Sequence, residues 1–220
     1  MLCIIQARMS SKRLPGKILK KVNSQPLLYY LIKSIKNSTK IKKIIVATSN
    51  NYKDKKIINY CKKNNINWFS GPLKNVALRF KKIIEVNKYN EFMRISADSP
   101  LLDYRILDRA ISIYNKAKPD IVSNIQKRSF PKGQSVEIVK KKIFLKNYKN
   151  FKKNEEFEHV TRYFYNNKSK FDIINFKYKK NLSKINLSVD TNKDFKLIKK
   201  ILNKIKNNNL EKILKILNEK

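Results

Sequence analysis

The chain has 220 residues, of which 41% are hydrophobic, enough for one domain with a substantial core. It has no apolar run of the roughly 18–20 residues that span a bilayer, no signal-peptide pattern at its N-terminus, and two cysteines, Cys3 and Cys61, without a CxxC or metal-ligand neighbourhood. These features argue against a membrane-spanning, secreted or disulfide-stabilised protein, and we expect a cytoplasmic protein with two inert thiols.

The formal net charge is +36, from 52 Lys and Arg against 16 Asp and Glu. Nucleic-acid-binding proteins usually concentrate their cations in a stripe or a tail. Here lysine is spread through nearly every segment together with Asn and Ile, and the three residues share A/T-rich codons. Genome composition explains this pattern more simply than a nucleic-acid partner does, so the charge alone predicts no such partner.

In chain order, apolar segments of strand length alternate with segments of helical periodicity. The first half predicts strands over 2–7, 44–48, 67–70 and 92–96, and helices over 26–35, 54–63, 75–86 and 105–115. The second half predicts strands over 120–123, 135–139, 171–176 and 186–189, and helices over 141–147, 156–165, 194–206 and 210–217.

This alternation predicts a three-layer α/β sandwich, with a mostly parallel central sheet and helices on both faces. We expect one domain over residues 1–220, with a small dimerisation or acceptor subregion around 124–180. Ligands of such sheets bind beyond the carboxyl ends of the strands. This rule selects the loops 8–17, 48–50 and 98–103, together with Asp190.

The loop after the first strand is rich in groups that bind phosphate. It contains four cations and two hydroxyls, namely Arg8, Lys12, Arg13, Lys17, Ser10 and Ser11. Such a set at the end of a strand suits a triphosphate, although the loop is not a Walker A motif. An ordinary solvated basic loop is the alternative in so lysine-rich a chain, and residue types alone leave both interpretations open.

The string QARMSSKRLPGK, residues 6–17, resembles the N-terminal signature of the sugar-acid cytidylyltransferases. That family includes the 3-deoxy-manno-octulosonate and acylneuraminate cytidylyltransferases, and the similarity is greatest to its spore-coat polysaccharide biosynthesis branch. Further similarities are RISADSPLLD (94–103), EHVT (158–161), LSVDT (187–191) and the pairs at 123–124 and 136–137. The chain departs from the branch in lacking an acidic run over 71–76, and in having Leu78 where an aspartate is expected.

The resemblance implies a nucleotide-diphospho-sugar transferase-like (Rossmann-like) fold and a homodimer. It implies transfer of CMP from CTP to an acidic sugar or similar hydroxyl acceptor, with release of pyrophosphate, in surface polysaccharide biosynthesis. The catalytic cations would be Arg8 and Lys17. The nucleotide-binding residues would be Ala7, Arg8, Ser10, Ser11, Arg13, Lys17, Thr48, Ser49 and Ala97, and the acceptor-side residues Arg94, Glu137 and His159.

Asp98 and Asp190 are the predicted ligands of Mg²⁺. A lone aspartate at a strand end is commonly a helix cap or turn former, and Asp103, directly before a helix, fits that capping role. The other two lie at the edge that holds the cationic loop, where carboxylates would repel a triphosphate unless a cation lay between them. Mg²⁺ takes one or two carboxylates plus phosphate oxygens, and the resemblance gives both residues this role.

Two other functions are weighed against the cytidylyltransferase. A nucleotide-sugar-dependent glycosyltransferase of the same scaffold generally needs a DxD motif, and Asp98-Ser99-Pro100 does not supply the second acid. A non-catalytic nucleic-acid-binding protein would bind bulk RNA with a steep salt dependence. The dispersed lysines and the specific loop make the nucleic-acid-binding protein the weakest of the three interpretations.

Overall fold

The computed structural model describes residues 1–218 of the chain. The strands in this part are β1 (Leu2–Gln6), β2 (Lys21–Val22), β3 (Gln25–Pro26), β4 (Lys43–Ser49), β5 (Asn67–Gly71), β6 (Glu91–Ser96), β7 (Ile121–Ser123), β8 (Glu137–Lys140) and β9 (Ile173–Asn175). The α-helices are α1 (Leu27–Lys36), α2 (Lys55–Lys63), α3 (Val76–Glu85), α4 (Tyr104–Ala117), α5 (Lys141–Tyr148), α6 (Asn154–Glu158), α7 (Arg162–Asn166), α8 (Asn192–Lys204) and α9 (Leu210–Asn218).

Seven strands form one sheet in the order β5-β4-β1-β6-β8-β7-β9, and β2 pairs with β3 separately. β1 is parallel to β4 and β6, β4 to β5, and β7 to β9, whereas β8 is antiparallel to both β6 and β7. The predicted, mostly parallel central sheet is therefore confirmed. Because their directions agree, the carboxyl ends of β5, β4, β1 and β6 lie along one edge, where Gln6 is level with Ala47 and Ser96.

The side chains of β1 alternate between two apolar cores, as expected for a strand that is covered on both faces. Cys3 and Ile5 belong to a core formed with α1, α2, α4, α8 and α9. Leu2 and Ile4 belong to a second core, formed with α3 and the aromatic side chains of α5 and α7. Helices thus cover both faces of the sheet, which confirms the predicted three-layer sandwich.

Both cysteines are buried and free, as predicted. Burial raises the pKa of each thiol, Cys3 and Cys61, to about 12, so both stay protonated and unreactive near neutral pH. Within residues 1–218, no helix combines the length and the hydropathy needed to cross a membrane.

The strand predicted over 186–189 is wrong. Only one isolated parallel bridge, between Asn186 and Lys132, involves this segment. The side-chain oxygen of Asn186 accepts hydrogen bonds from the backbone N and the Oγ of Ser188, at 3.1 and 2.7 Å. This local turn competes with strand pairing. The alternation that suggested a strand has a different cause, since Leu187 and Val189 are buried in the first core.

The single helix predicted over 156–165 is also wrong, because α6 and α7 replace it and residues 159–161 separate them. The hydroxyls of Thr161 and Tyr165 donate to the carboxylate of Glu137 in β8, at 2.7 and 2.5 Å. These tertiary contacts fix the direction of α7 independently of α6. Helical periodicity cannot show such an interruption, because both pieces keep an apolar face.

Candidate active site

A cavity of about 460 Å³ opens at the carboxyl edge of the sheet. Eight residues of the predicted nucleotide and metal sets line it: Arg8, Ser10, Ser11, Arg13, Lys17, Ala97, Asp98 and Asp190. Five more residues that were not assigned to the site complete the lining: Gln6, Lys12, Ile18, Ser96 and Glu158. The structure thus brings together side chains from β1, β6 and the segment before α8.

A larger cavity, of about 890 Å³, lies beside the segment between α8 and α9. Lysine and asparagine side chains, together with Tyr104 and Arg105, make up most of its lining. Among residues 1–218, no carboxylate and no predicted site residue lines it. The acidic and basic groups that suit phosphate chemistry therefore meet in the smaller cavity.

The cationic loop is held in shape by backbone hydrogen bonds. The Gly16 N–H donates to the carbonyl of Met9 at 2.9 Å, and Gly16 has a φ of +70°, in the left-handed region that favours glycine. A short 3-10 helix starts at Lys17, directly after this turn, and the side chain of Lys17 is mostly buried. The Met9 N–H donates to Asp54 at 2.7 Å, which ties the loop to the end of β4.

Lys17 connects two carboxylates that are far apart in the sequence. Its Nζ lies 2.9 Å from Asp98 Oδ2 and 2.9 Å from Asp190 Oδ1. Arg13 lies 3.0 Å from the other oxygen of Asp190. Charge-assisted hydrogen bonds of this length are the strong class, so one lysine of the cationic loop joins the ends of two separate segments.

Asp190 is positioned by its own neighbours as well. The preceding residue, Val189, donates its N–H to the carbonyl of Asp98 at 2.9 Å. The N–H of Asp190 donates to the carboxylate of Asp194, in the first turn of α8, at 3.0 Å. The two predicted metal ligands are therefore held side by side by the backbone.

The two carboxylates are suited to hold a divalent cation between them. Oxygens of Asp98 and Asp190 both reach one atom, Lys17 Nζ, so both can reach a cation at a shared position. Within residues 1–218 no group of three or more His, Cys, Asp or Glu side chains could hold a metal. Two carboxylates with phosphate oxygens make a set that Mg²⁺ accepts, and the prediction of Mg²⁺ at this pair stays a prediction.

Glu158 lines the cavity, whereas the neighbouring His159 does not. The Glu158 carboxylate forms an ion pair with Arg8 at 3.1 Å. His159 is exposed at the end of α6. The sequence drew attention to His159 because it is the single histidine of the chain. The structure shows that its neighbour Glu158 is the residue that contacts Arg8, a predicted catalytic cation.

The predicted acceptor-side residues Arg94 and Glu137 do not line the cavity; they form an ion pair in which Glu137 is buried and Arg94 is partly buried. Arg94 also donates from Nε and Nη2 to Gln6 Oε1, at 3.3 and 3.1 Å. A guanidinium can only donate, so the amide oxygen of Gln6 faces Arg94. The NH₂ group of Gln6 is then left as a donor in the cavity lining. Glu137 also accepts from Tyr165, and burial of this phenol beside Glu137 raises the pKa of Tyr165 well above 10.

Three of the predicted nucleotide-binding residues lie outside the cavity lining and are buried, namely Ala7, Thr48 and Ser49. The Ser49 hydroxyl donates to Asp54 at 2.5 Å, so it supports the residue that anchors the cationic loop. Thr48 Oγ1 is buried without a hydrogen-bond partner in the described structure. A contact of Thr48 or Ser49 with the nucleoside remains a prediction.

Arg79, in α3, is completely buried, and none of its three guanidinium nitrogens has a hydrogen-bond partner within the described residues. Burial lowers its pKa to about 10, against the attraction of Asp54. Its side chain packs against Gly71, where an added Cβ would lie 3.0 Å from Arg79 Cγ. No motif in the sequence distinguished this arginine from the other cations.

Asp103 has the capping role predicted for it. Its Oδ1 accepts the N–H of Arg105 at 3.0 Å at the start of α4. Its Oδ2 accepts the N–H of Leu210 at 2.9 Å and thereby fixes the start of α9.

Two relatives of known sequence match most of the chain. An uncharacterized protein of Methanocaldococcus jannaschii is 32% identical over 196 residues, covering 88% of this chain and 79% of that protein. The spore coat polysaccharide biosynthesis protein SpsF of Bacillus subtilis is 28% identical over 210 residues, covering 92% and 86%.

Solved structures show the same architecture. A cytidylyltransferase from Leptospira borgpetersenii superposes with a TM-score of 0.93 at 25% identity, covering 99% of this chain and 93% of that one. A CMP:2-keto-3-deoxy-manno-octonic acid synthetase complexed with CTP shares the fold, with a TM-score of 0.71 at 13% identity and coverage of 92% and 98%. The sequence profile described as Cytidylyltransferase matches residues 2–219, nearly the whole chain. The chain therefore belongs to the cytidylyltransferase family.

Proposed function

We propose that this protein transfers CMP from CTP to the hydroxyl of an acidic sugar or a similar acceptor, with release of pyrophosphate. The observation that carries the proposal is the contact of Lys17 with Asp98 and Asp190 inside a cavity also lined by Arg8 and Arg13. This arrangement brings cations that suit phosphate next to two carboxylates, in a chain of the cytidylyltransferase family, and both features support the proposal. The spore coat polysaccharide relative supports a role in surface polysaccharide biosynthesis.

In the proposed reaction the acceptor oxygen forms a bond to the α-phosphorus of CTP. The bond from that phosphorus to the bridging oxygen breaks, pyrophosphate leaves with the electron pair, and the acceptor hydroxyl releases its proton to water. Negative charge grows on the leaving group, so positioned cations supply most of the catalysis. Arg8 and Lys17 neutralise the phosphates, and Arg13 with the hydroxyls of Ser10 and Ser11 orients them.

Asp98 and Asp190 would hold Mg²⁺, which when bound polarises phosphate oxygens and lowers the pKa of the attacking hydroxyl. The side chain of Glu158, paired with Arg8, keeps that guanidinium at the cavity wall. The amide oxygen of Gln6 accepts from Arg94, so its NH₂ group is left as a donor in the cavity lining. Gln6 and Glu158 thus offer the acceptor a donor and an acid.

Pyrophosphate release tests this proposal. Purified protein is incubated with CTP, Mg²⁺ and each member of a panel of sugar acids and neutral sugars, and pyrophosphate is measured with a coupled enzyme. We expect release that depends on one acceptor class and on Mg²⁺. Release of a nucleoside diphosphate from a nucleotide sugar, with no reaction of CTP, would instead indicate a glycosyltransferase.

A further inference from the structure

Lys17 lies between the two carboxylates, at the position where a divalent cation would bind. Lys17 Nζ is 2.9 Å from both carboxylates of the proposed metal pair, Asp98 and Asp190. We propose that Lys17 excludes divalent metal from this pair until the phosphates of a nucleotide offer the ammonium group another partner. The inference rests on the proposed function, because it takes the two aspartates as the metal ligands.

The lysine side chain is held at this position by burial and by its two ion pairs. Its side chain is only 10% exposed. The left-handed turn at Gly16 and the 3-10 helix that follows leave little freedom to its backbone. Both contacts are charge-assisted hydrogen bonds of ordinary length.

The charges at the pair are already balanced without a metal. Two carboxylates face two cations, Lys17 between them and Arg13 on the outer oxygen of Asp190. A divalent ion that entered alone would have to displace the ammonium group, which would then lie unpaired beside it. Like charges a few ångströms apart repel strongly where water is partly excluded, so metal alone should bind weakly.

A nucleotide changes this balance because its phosphates are the other partners available to Lys17. The lysine belongs to the cationic loop and lines the same cavity as Arg8, Ser10 and Ser11. When the ammonium group moves from the carboxylates to phosphate oxygens, the carboxylates become free to bind metal. Binding of metal and of nucleotide is then positively coupled, and by linkage the coupling acts equally in both directions.

Binding of Mn²⁺ to nucleotide-free protein tests the inference without any turnover. Mn²⁺ prefers the same oxygen ligands as Mg²⁺, and its free fraction is measured by electron paramagnetic resonance. The variants are Lys17→Met, which keeps the length of the side chain without its charge, and Lys17→Gln, which keeps a neutral donor should the methionine variant fold poorly. Lys12→Met is the matched control, since Lys12 lines the same cavity but forms no ion pair with residues 1–218.

We expect Mn²⁺ to bind the Lys17 variants at least about tenfold more tightly than the wild type, a change equivalent to about 1.4 kcal/mol. Adding Asp98→Asn to Lys17→Met should remove this gain, which locates the ion at the carboxylate pair. Lys12→Met should bind Mn²⁺ like the wild type. An equal gain in Lys12→Met would overturn the inference, because it would reflect the general charge of the cavity.

The remaining outcomes separate this inference from the proposed function. If wild type and Lys17→Met bind Mn²⁺ equally tightly, and Asp98→Asn abolishes binding in both, the metal pair stands and exclusion by Lys17 is wrong. If folded Lys17→Met and Lys17→Gln bind no Mn²⁺, the assignment of Asp98 and Asp190 as metal ligands fails, and the inference fails with it.

Discussion

At the scale of single residues, the site depends on ionic contacts that are each made by one side chain. Asp98 is the clearest case, because it accepts from Lys17 and lines the cavity. Its change to asparagine keeps the shape and one acceptor oxygen but removes the charge. We expect turnover to fall by about 10²–10³, measured as pyrophosphate release, with an unchanged circular dichroism spectrum. Asp172→Asn, an exposed aspartate away from the cavity, should retain full turnover. Unchanged turnover in Asp98→Asn would remove this residue from the mechanism.

Arg79 gives a prediction of the opposite kind. Burial removes the Arg79 guanidinium from water, and no hydrogen bond within residues 1–218 replaces those that it made with water. Arg79→Met fills similar space without the charge, so we expect the nucleotide-free protein to become more stable by about 1–3 kcal/mol, measured by urea unfolding. Arg105→Met is the contrasting control. The Arg105 guanidinium donates a hydrogen bond to Asp103, and this bond raises the pKa of Arg105. Arg105→Met removes the bond and should therefore destabilise the protein. A less stable Arg79→Met protein would show that this guanidinium has an acceptor after all.

The sequence identified the cationic residues of the loop but not which of them would pair. The signature at 6–17 predicted Arg8 and Lys17 at the sheet edge, and the cavity contains both. It did not predict the pairing of Arg8 with Glu158 or of Lys17 with two aspartates. Such pairs join segments far apart in the chain, and a single sequence carries no record of which distant charges meet.

At the scale of secondary-structure elements, the segment before α8 is positioned by backbone contacts rather than by a strand ladder. Gly133, at a φ of +87°, lies against it so closely that an added Cβ would be 2.5 Å from the carbonyl carbon of Leu187. Gly133→Ala should therefore destabilise the protein by about 1–3 kcal/mol and weaken CTP binding, because the segment leads to Asp190. Urea unfolding and calorimetry measure the two effects. Lys132→Ala, which changes an exposed side chain in the same loop, should change neither, and an equally stable Gly133→Ala protein would contradict the close contact.

The start of α8 links stability to pH through Asp194. Burial alone would raise the pKa of this carboxyl, but hydrogen bonds from Thr191, the backbone of Asp190 and Asn186 outweigh it, and the pKa is lowered. A carboxyl whose folded pKa lies below its unfolded value stabilises the protein above the unfolded pKa, about 3.9. This contribution is lost as the pH falls through the folded pKa. We expect Asp194→Asn to cost about 1 kcal/mol near pH 7 and progressively less below about pH 4, by urea unfolding. Asn192→Ala, an exposed and uncharged change in the same helix turn, should show no such dependence, and a cost for Asp194→Asn that is constant with pH would contradict the assignment.

The strands that are buried on both faces could be predicted from the sequence. β1, β4 and β6 were predicted nearly to the residue, because strands buried on both faces are continuous apolar runs between polar loops. The strand at 186–189 and the helix at 156–165 were wrong for one reason. Their apolar spacing reports burial, whereas their backbone is set by hydrogen bonds that this spacing does not show, the local turn at Asn186 for the first and the contacts with Glu137 for the second.

At the scale of the whole molecule, a chain with a net charge of +36 contains a pair of aspartates, Asp98 and Asp190, in its cavity. The cations are spread over the surface, yet the described carboxylates that meet in the cavity number three, Asp98, Glu158 and Asp190. A pair of aspartates in so basic a chain is consistent with the proposed function, in which they hold a cation. The homodimer that the family resemblance implies stays a prediction, which sedimentation equilibrium tests directly.

The most direct test of the central claim is nucleotide selectivity, measured by thermal unfolding with CTP, UTP, ATP and UDP-sugars, each with and without Mg²⁺. A ligand at about 100 times its Kd adds about 2.7 kcal/mol of apparent stability, which such a scan detects. We predict stabilisation by CTP above the other nucleotides, increased by Mg²⁺ and abolished in Asp98→Asn. Stabilisation by UDP-sugars without any effect of CTP would contradict the claim that this cavity binds CTP.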